Sequence, residues 1–185
     1  MPARASGTPA QPCPLADGGE GTLDAVLEAT GGQRHLVDTV DALGRPMTSA
    51  WGMLPDGTAV VEAATSVGLA LLGEDRDPIA ASSAGLGRVL ASALARQPRR
   101  LVIAVRGVAT SDGGLGCLDE IGWDLGGVPT VVACDMETHL LDTAKVFSLH
   151  KGANSVQIAI LTRAIRGDVR GRWRPEEVSC PAVEI

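Results

Sequence analysis

Three stretches of the chain combine ionisable side chains with glycine at spacings suited to ligand chemistry. In Asp17-Gly18-Gly19-Glu20-Gly21, two carboxylates stand three positions apart across two glycines, just before an apolar helical pattern. At a helix entrance the macrodipole favours their charge, and side by side they could do acid–base work. The simpler alternative is capping, with Asp17 as cap and Glu20 reaching back. The second stretch is Gly107-Val108-Ala109-Thr110-Ser111-Asp112-Gly113-Gly114, a small polar turn after an apolar run. Backbone N–H groups of such a turn suit an anion, while Asp112 could hold a metal, bond a hydroxyl or accept a proton. Together they suit a substrate bearing both hydroxyl and acid groups, and here too the alternative is an N-cap, Asp112 closing a strand-to-helix turn. The third stretch holds the only two lysines, Lys145 and Lys151, against fourteen arginines elsewhere. A lysine can shift its pKa or serve as a phosphate-binding point charge. Two further carboxylates end apolar runs: Glu62, costly there unless paired or functional, and Asp135, at a strand end where ligand sites of open α/β sheets gather, with a loop cap as the alternative.

The elements that must position these groups follow from periodicity. Residues 101–105 form a five-residue apolar strand, and residues 114–121 start a helix with Leu115, Leu118 and Ile121 on one side. Residues 23–30 form a helix stopped by Gly31-Gly32, and three short antiparallel strands cover residues 35–40, 47–54 and 58–63, with turns at Gly44 and Gly57. His35, at a strand edge, reads as a surface residue. A helix over 82–96 precedes the central strand, residues 130–134 form a second buried strand, and helices over 140–147 and 156–166, the latter capped by Asn154, complete the pattern. The alternation predicts an α/β fold: a mixed sheet with helices on both faces, parallel near residues 101–105 and 130–134 and antiparallel over 35–63.

Length and composition bound the function. At 185 residues the chain fits one domain and should bury roughly 70% of its unfolded surface. Residues 1–13 read as a flexible lead-in, 14–166 as the domain and 167–185 as a C-terminal tail. No apolar run approaches a membrane span, and the lead-in lacks the apolar core of a secretory signal, so no membrane role and a cytoplasmic location are expected. A net charge of −6, no Tyr and a single Phe argue against nucleic acid. The basic cluster from Arg163 to Arg174 reads as a solvated tail. Four cysteines without C-x-x-C spacing indicate neither a zinc site nor a disulfide framework.

Taken together the motifs resemble the bacterial type 1 glycerate kinase family. Pro14-Leu15-Ala16-Asp17-Gly18-Gly19-Glu20-Gly21-Thr22 is similar to that family's P-[IL]-A-D-G-G-E-G-T signature. Collinear with it run Glu62-Ala63-Ala64-Thr65-Ser66-Val67-Gly68-Leu69, Arg76-Asp77-Pro78 with Ser82-Ser83, Ala109-Thr110-Ser111-Asp112-Gly113-Gly114, Ala133-Cys134-Asp135 and Lys151-Gly152-Ala153. The resemblance, over about residues 14–165, implies a glycerate-kinase-like fold and ATP-dependent phosphorylation of glycerate, a small hydroxy acid, with ATP and Mg2+. It implies a polar pocket lined by the carboxylates Asp17, Glu20, Glu62, Asp112 and Asp135; if the chain is an enzyme, Asp17, Glu20 and Asp112 are the expected acid–base groups, with Glu62, Arg106, Thr110, Ser111, Gly113, Asp135 and Lys151 on the substrate side.

The departures are specific. A family opening strand and family segments beyond the last helix have no counterpart, and the family's G-G-S-A-T is here Arg106-Gly107-Val108-Ala109-Thr110. Arg106 brings a permanent charge able to pair with Asp112 or to clamp a substrate carboxylate. Because phosphoryl transfer rests on positioning and electrostatics, the expectation is a chain that is no competent kinase alone. It would self-associate or meet a complementing chain; alternatively the carboxylate-lined pocket serves ATP-independent acid–base chemistry, such as a cyclisation or isomerisation, or ligand binding alone.

Overall fold

The apolar run around residue 101 becomes β4 (Arg100–Ala104), the fourth strand of a five-stranded sheet, in a computed structural model that describes residues 17–134, 136 and 138–171. The order is α1 (Thr22–Thr30), β1 (Gln33–Val40), β2 (Pro46–Met53), β3 (Thr58–Glu62), α2 (Ala64–Val67), α3 (Leu69–Leu72), α4 (Ala84–Leu94), β4, α5 (Leu115–Glu120) and β5 (Thr130–Ala133). A 3-10 turn (Leu140–Asp142), α6 (Thr143–Phe147) and α7 (Ser155–Gly171) follow. The strands lie in the order β1-β2-β3-β4-β5; β1, β2 and β3 are antiparallel neighbours, while β3, β4 and β5 run parallel. This is the mixed α/β sheet the alternation predicts.

Strand alternation divides the core. Trp51, Val61, Leu101 and Ile103 pack on one face against Val89 and Leu90 of α4. On the other face, Ala50 and Val60 meet Leu23, Val26 and Leu27 of α1, because neighbours in a strand point to opposite sides. All five residues of β3 are buried, as expected of a strand covered on both faces. α1 comes close because β2 offers Gly52, where a Cβ would sit 2.8 Å from a Leu27 methyl and 2.9 Å from one of Leu23. His35 is half-buried rather than a plain surface residue, its ring stacked on Trp51 at 4.4 Å between centroids.

Residues 64–72, to which periodicity assigns no element, fold into α2 and α3. At the far end, Asn154 and Gln157 exchange reciprocal backbone-to-side-chain hydrogen bonds of 2.9 Å, a capping box that starts α7. The helix passes Gly167 and continues to Gly171, so the first residues of the expected tail are helical. Arg163 and Arg166 lie on the helix itself; one glycine costs a helix about 1 kcal/mol and does not stop it. Leu161 and Ile165 of α7 form a separate small apolar cluster with Ala144 of α6 and Leu140. Among the described residues no helix is long and apolar enough to cross a membrane.

Candidate functional site

The first glycine-rich entrance folds back on the sheet. Gly18 and Gly21 both take left-handed backbone angles, φ 89° and 87°, which glycine adopts without strain. Asp17 Oδ1 accepts the N–H of Gly19 at 3.0 Å, and its Oδ2 pairs with the Arg106 guanidinium. The N–H of Arg106 donates to the Gly18 carbonyl at 3.0 Å, which lays the arginine side chain along the turn. Arg106 therefore meets Asp17, a pairing the sequence did not suggest. The exposed Glu20 carboxylate lies against Gly107, where an added Cβ would come within 2.8 Å of it. Neither Asp17 nor Glu20 caps α1; the residue before the helix is Gly21, and no local side chain bonds the first turn. That role falls to Glu62, only 3% exposed at the end of β3, whose Oε1 and Oε2 accept the N–H groups of Gly21 at 3.2 Å and Leu23 at 2.7 Å. The cost of burying this carboxylate is offset by two charge-assisted hydrogen bonds.

The central turn is built around Asp112. Its Oδ2 accepts from the N–H and the hydroxyl of Ser83, both at 2.7 Å, and from the Gly116 N–H at 3.2 Å; Oδ1 accepts from Gly114 at 3.1 Å. Ser83 Oγ in turn accepts the buried N–H of Cys117 at 2.9 Å. One carboxylate thus ties the starts of α4 and α5 together, although the residue at the N-cap position of α5 is Gly114 and not Asp112. Gly116 makes the approach possible, since a Cβ there would fall 2.3 Å from Ser82 Oγ. Ser83 is the functional partner that residue-type reasoning passed over; its signal was the hydroxyl pair Ser82-Ser83 at the head of an apolar helix.

Thr110, Ser111, Asp112 and Gly113 line a 320 Å3 cavity closed on its other side by Thr143, Phe147 and Lys151. The Lys151 ammonium donates to the Thr110 carbonyl, and Ser148 Oγ, fully buried, donates to Ser111 Oγ at 3.0 Å. Burial pushes the Lys151 amine down to about 8, with the charge of Asp112 pulling the other way. Burial, with Asp112 and Glu120 nearby, pushes the Cys117 thiol up to about 12, which leaves it inert. A neighbouring 400 Å3 cavity is lined by Arg106, Gly107, Cys134, Thr143 and again Lys151.

The two entrances therefore meet at the C-terminal end of β4 but open differently. Thr110, Ser111, Gly113, Asp112 and Lys151 come together in one cavity; Arg106 shares the second cavity with Lys151; Asp17 and Glu20 line neither and flank Arg106 and Gly107. Glu62 is occupied with α1. Asp135 lies outside the described residues. Among the described residues no three metal-ligating side chains converge; magnesium delivered with ATP would bring phosphate oxygens as its own ligands.

Comparison with known proteins agrees with this architecture. The model of the glycerate kinase family matches residues 3–127. Glycerate 2-kinase of Escherichia coli (strain K12) is 32% identical over 183 residues, covering 80% of this chain and 48% of the relative. Glycerate kinase of Bacillus subtilis (strain 168) is 40% identical over 111 residues, 59% of this chain and 29% of its own. A crystal structure from Salmonella typhimurium LT2 named for glycerate kinase 2 superposes with a TM-score of 0.76 at 30% identity, over 85% of this chain and 52% of that one. The chain spans about half the length of these relatives or less. With the sheet, the two glycine-rich entrances and these matches in agreement, the chain belongs to the glycerate kinase family.

Proposed function

We propose that this chain binds glycerate or a close hydroxy acid in the cavity between residues 110–113 and α6, as the substrate side of an ATP-dependent phosphorylation that the 185-residue chain does not complete alone. The observation that carries this reading is Lys151, an ammonium held at the Thr110 carbonyl inside a largely apolar cavity. There it would attract a carboxylate far more strongly than at the surface. Ser111 and the Thr110 hydroxyl offer partners for the substrate's hydroxyls, and Arg106 adds a second cation from the neighbouring cavity. Asp112, fixed by four hydrogen bonds, holds the loop and keeps Lys151 cationic at neutral pH. Asp17 and Glu20 hold Arg106 and Gly107 in place. The nucleotide supplies the phosphoryl group. Family relatives named as kinases are about twice as long, which supports a reaction shared with segments beyond this chain.

A second reading is favoured by one feature. An amine near pH 8 beside a carboxylate can exchange protons near neutrality without a nucleotide, which suits a cyclisation or isomerisation of a small anion. Isothermal titration with glycerate and with Mg-ATP separates the two. The kinase-side reading expects glycerate heat that disappears in Lys151→Met, and no phosphoglycerate from the chain with ATP. Absence of glycerate binding overturns the substrate assignment, and turnover within a few-fold of a full-length relative overturns the statement that the chain is incomplete as a catalyst.

A further inference from the structure

We propose that the outer edge of β1 is a self-association surface, on which a second copy of this chain adds its own β1 antiparallel about a two-fold axis at Leu36. β1 is the first strand of the sheet and pairs with β2 from Gln33↔Met53 to Val40↔Pro46 without a bulge. Among the described residues no strand pairs with its other edge. Natural edges are usually short, bulged or guarded by charged side chains, above all by lysine, or by proline. This one is eight residues long, contains neither lysine nor proline, and carries Leu36 at 72% exposure.

Charge selects the partner and the register. Arg34, Leu36 and Asp38 share one face of β1. A two-fold at Leu36 sets Leu36 against the partner subunit's Leu36, Arg34 against the partner subunit's Asp38, and Asp38 against the partner subunit's Arg34. Opposite charges directly across an antiparallel pair are favourable and like charges are not. Moving the axis to Arg34 or to Asp38 places two like charges face to face, and moving it to His35 or Val37 leaves both charges opposite neutral residues. Arg34 already pairs with Asp24 of α1, so it would bridge two carboxylates, while Asp38, among the described residues, accepts an exposed hydroxyl bond from Thr48, at 3.2 Å. At the other end of the strand, Gly85 of α4 packs on the Val40 carbonyl, which confines the pairing to about residues 34–38. The occupant is thus a second copy, and isologous pairing yields one continuous ten-stranded sheet.

Sedimentation equilibrium of the full chain tests the proposal through charge reversal. The wild-type chain forms a concentration-dependent dimer, and Arg34→Glu and Asp38→Arg are each monomeric. An equimolar mixture of the two variants regains a dimer with one of each, because every edge pair is again of opposite sign. Leu36→Lys gives a third monomeric variant should loss of the Asp24 partner disturb the fold of Arg34→Glu. A monomeric wild type, single variants that dimerise undiminished, or a mixture that stays monomeric each overturns the assignment.

Discussion

The carboxylate of Glu62 accepts the backbone N–H of Leu23 at 2.7 Å across 39 positions of sequence, so the end of a buried strand holds the first turn of a helix that precedes it. Replacing this group tests what holds the first glycine-rich entrance. Glu62→Gln keeps one acceptor and turns an amide donor toward the second N–H, which should cost about 2 kcal/mol; Glu62→Ala, leaving both N–H groups unpaired, about 3 kcal/mol. Urea unfolding with an unchanged slope measures both, and a loss below half of these values would place the anchor elsewhere.

Lys151 predicts a pH dependence with a definite sign. Its amine titrates at about 8 in the folded chain against an ordinary 10.5, so between those values the unfolded chain holds a proton that the folded chain has released. This group therefore penalises folding fully below pH 8, and its penalty disappears as pH rises toward 10.5. Stability of the wild type relative to Lys151→Met should rise across that window. Anion binding runs the opposite way, weakening about tenfold per pH unit above 8 as the ammonium is lost. Thermal unfolding and titration calorimetry across the window read the two trends, and a flat difference in either would remove Lys151 from the role assigned to it.

Gly85 should reverse the usual helix rule. Alanine in place of glycine ordinarily stabilises a helix by about 1 kcal/mol, yet a Cβ at Gly85 would sit 2.0 Å from the Val40 carbonyl oxygen. The Gly85 carbonyl also accepts the Thr39 hydroxyl at 2.8 Å, which fixes α4 against β1. Gly85→Ala is expected to destabilise by about 2–3 kcal/mol. A more stable variant would mean that α4 can slide on the sheet.

The Arg106–Asp17 pair is 35% and 68% exposed at its two side chains, and exposed pairs contribute 1 kcal/mol at most, roughly. Asp17→Asn should leave unfolding free energy within about 1 kcal/mol of wild type and, because Asp17 lines neither cavity and reaches the site only through Arg106, weaken glycerate binding only slightly. A large loss of affinity without a loss of stability would return Asp17 to the catalytic group.

What was legible in the sequence were features fixed by local pattern. The alternation of runs at residues 35–63, 101–105 and 130–134 contained the mixed sheet, because burial on one or both faces dictates apolar periodicity. The Asn154 cap was readable for the same local reason. The division of labour among carboxylates was not, since it depends on which backbone N–H groups tertiary packing brings within reach. Glu62 and Asp112 lie far in sequence from the donors they satisfy in α1 and α4, and no spacing rule connects them. The pairing of Arg106 with Asp17 likewise follows from the parallel neighbours β4 and β5, whose C-terminal ends meet the Gly18 turn.

The separate apolar cluster that joins α6 and α7 makes proton affinity a gauge of compaction. Lys151 is partly dehydrated because this helical layer meets the loop at Thr110 and Ser111; any excursion of the layer away from the sheet would readmit water and raise the amine's hold on its proton. Reciprocity then requires that protonation favour the excursion and deprotonation the tight contact. Any opening of this layer is therefore coupled to acidity through a single amine, and alkaline solution is expected to favour the closed contact.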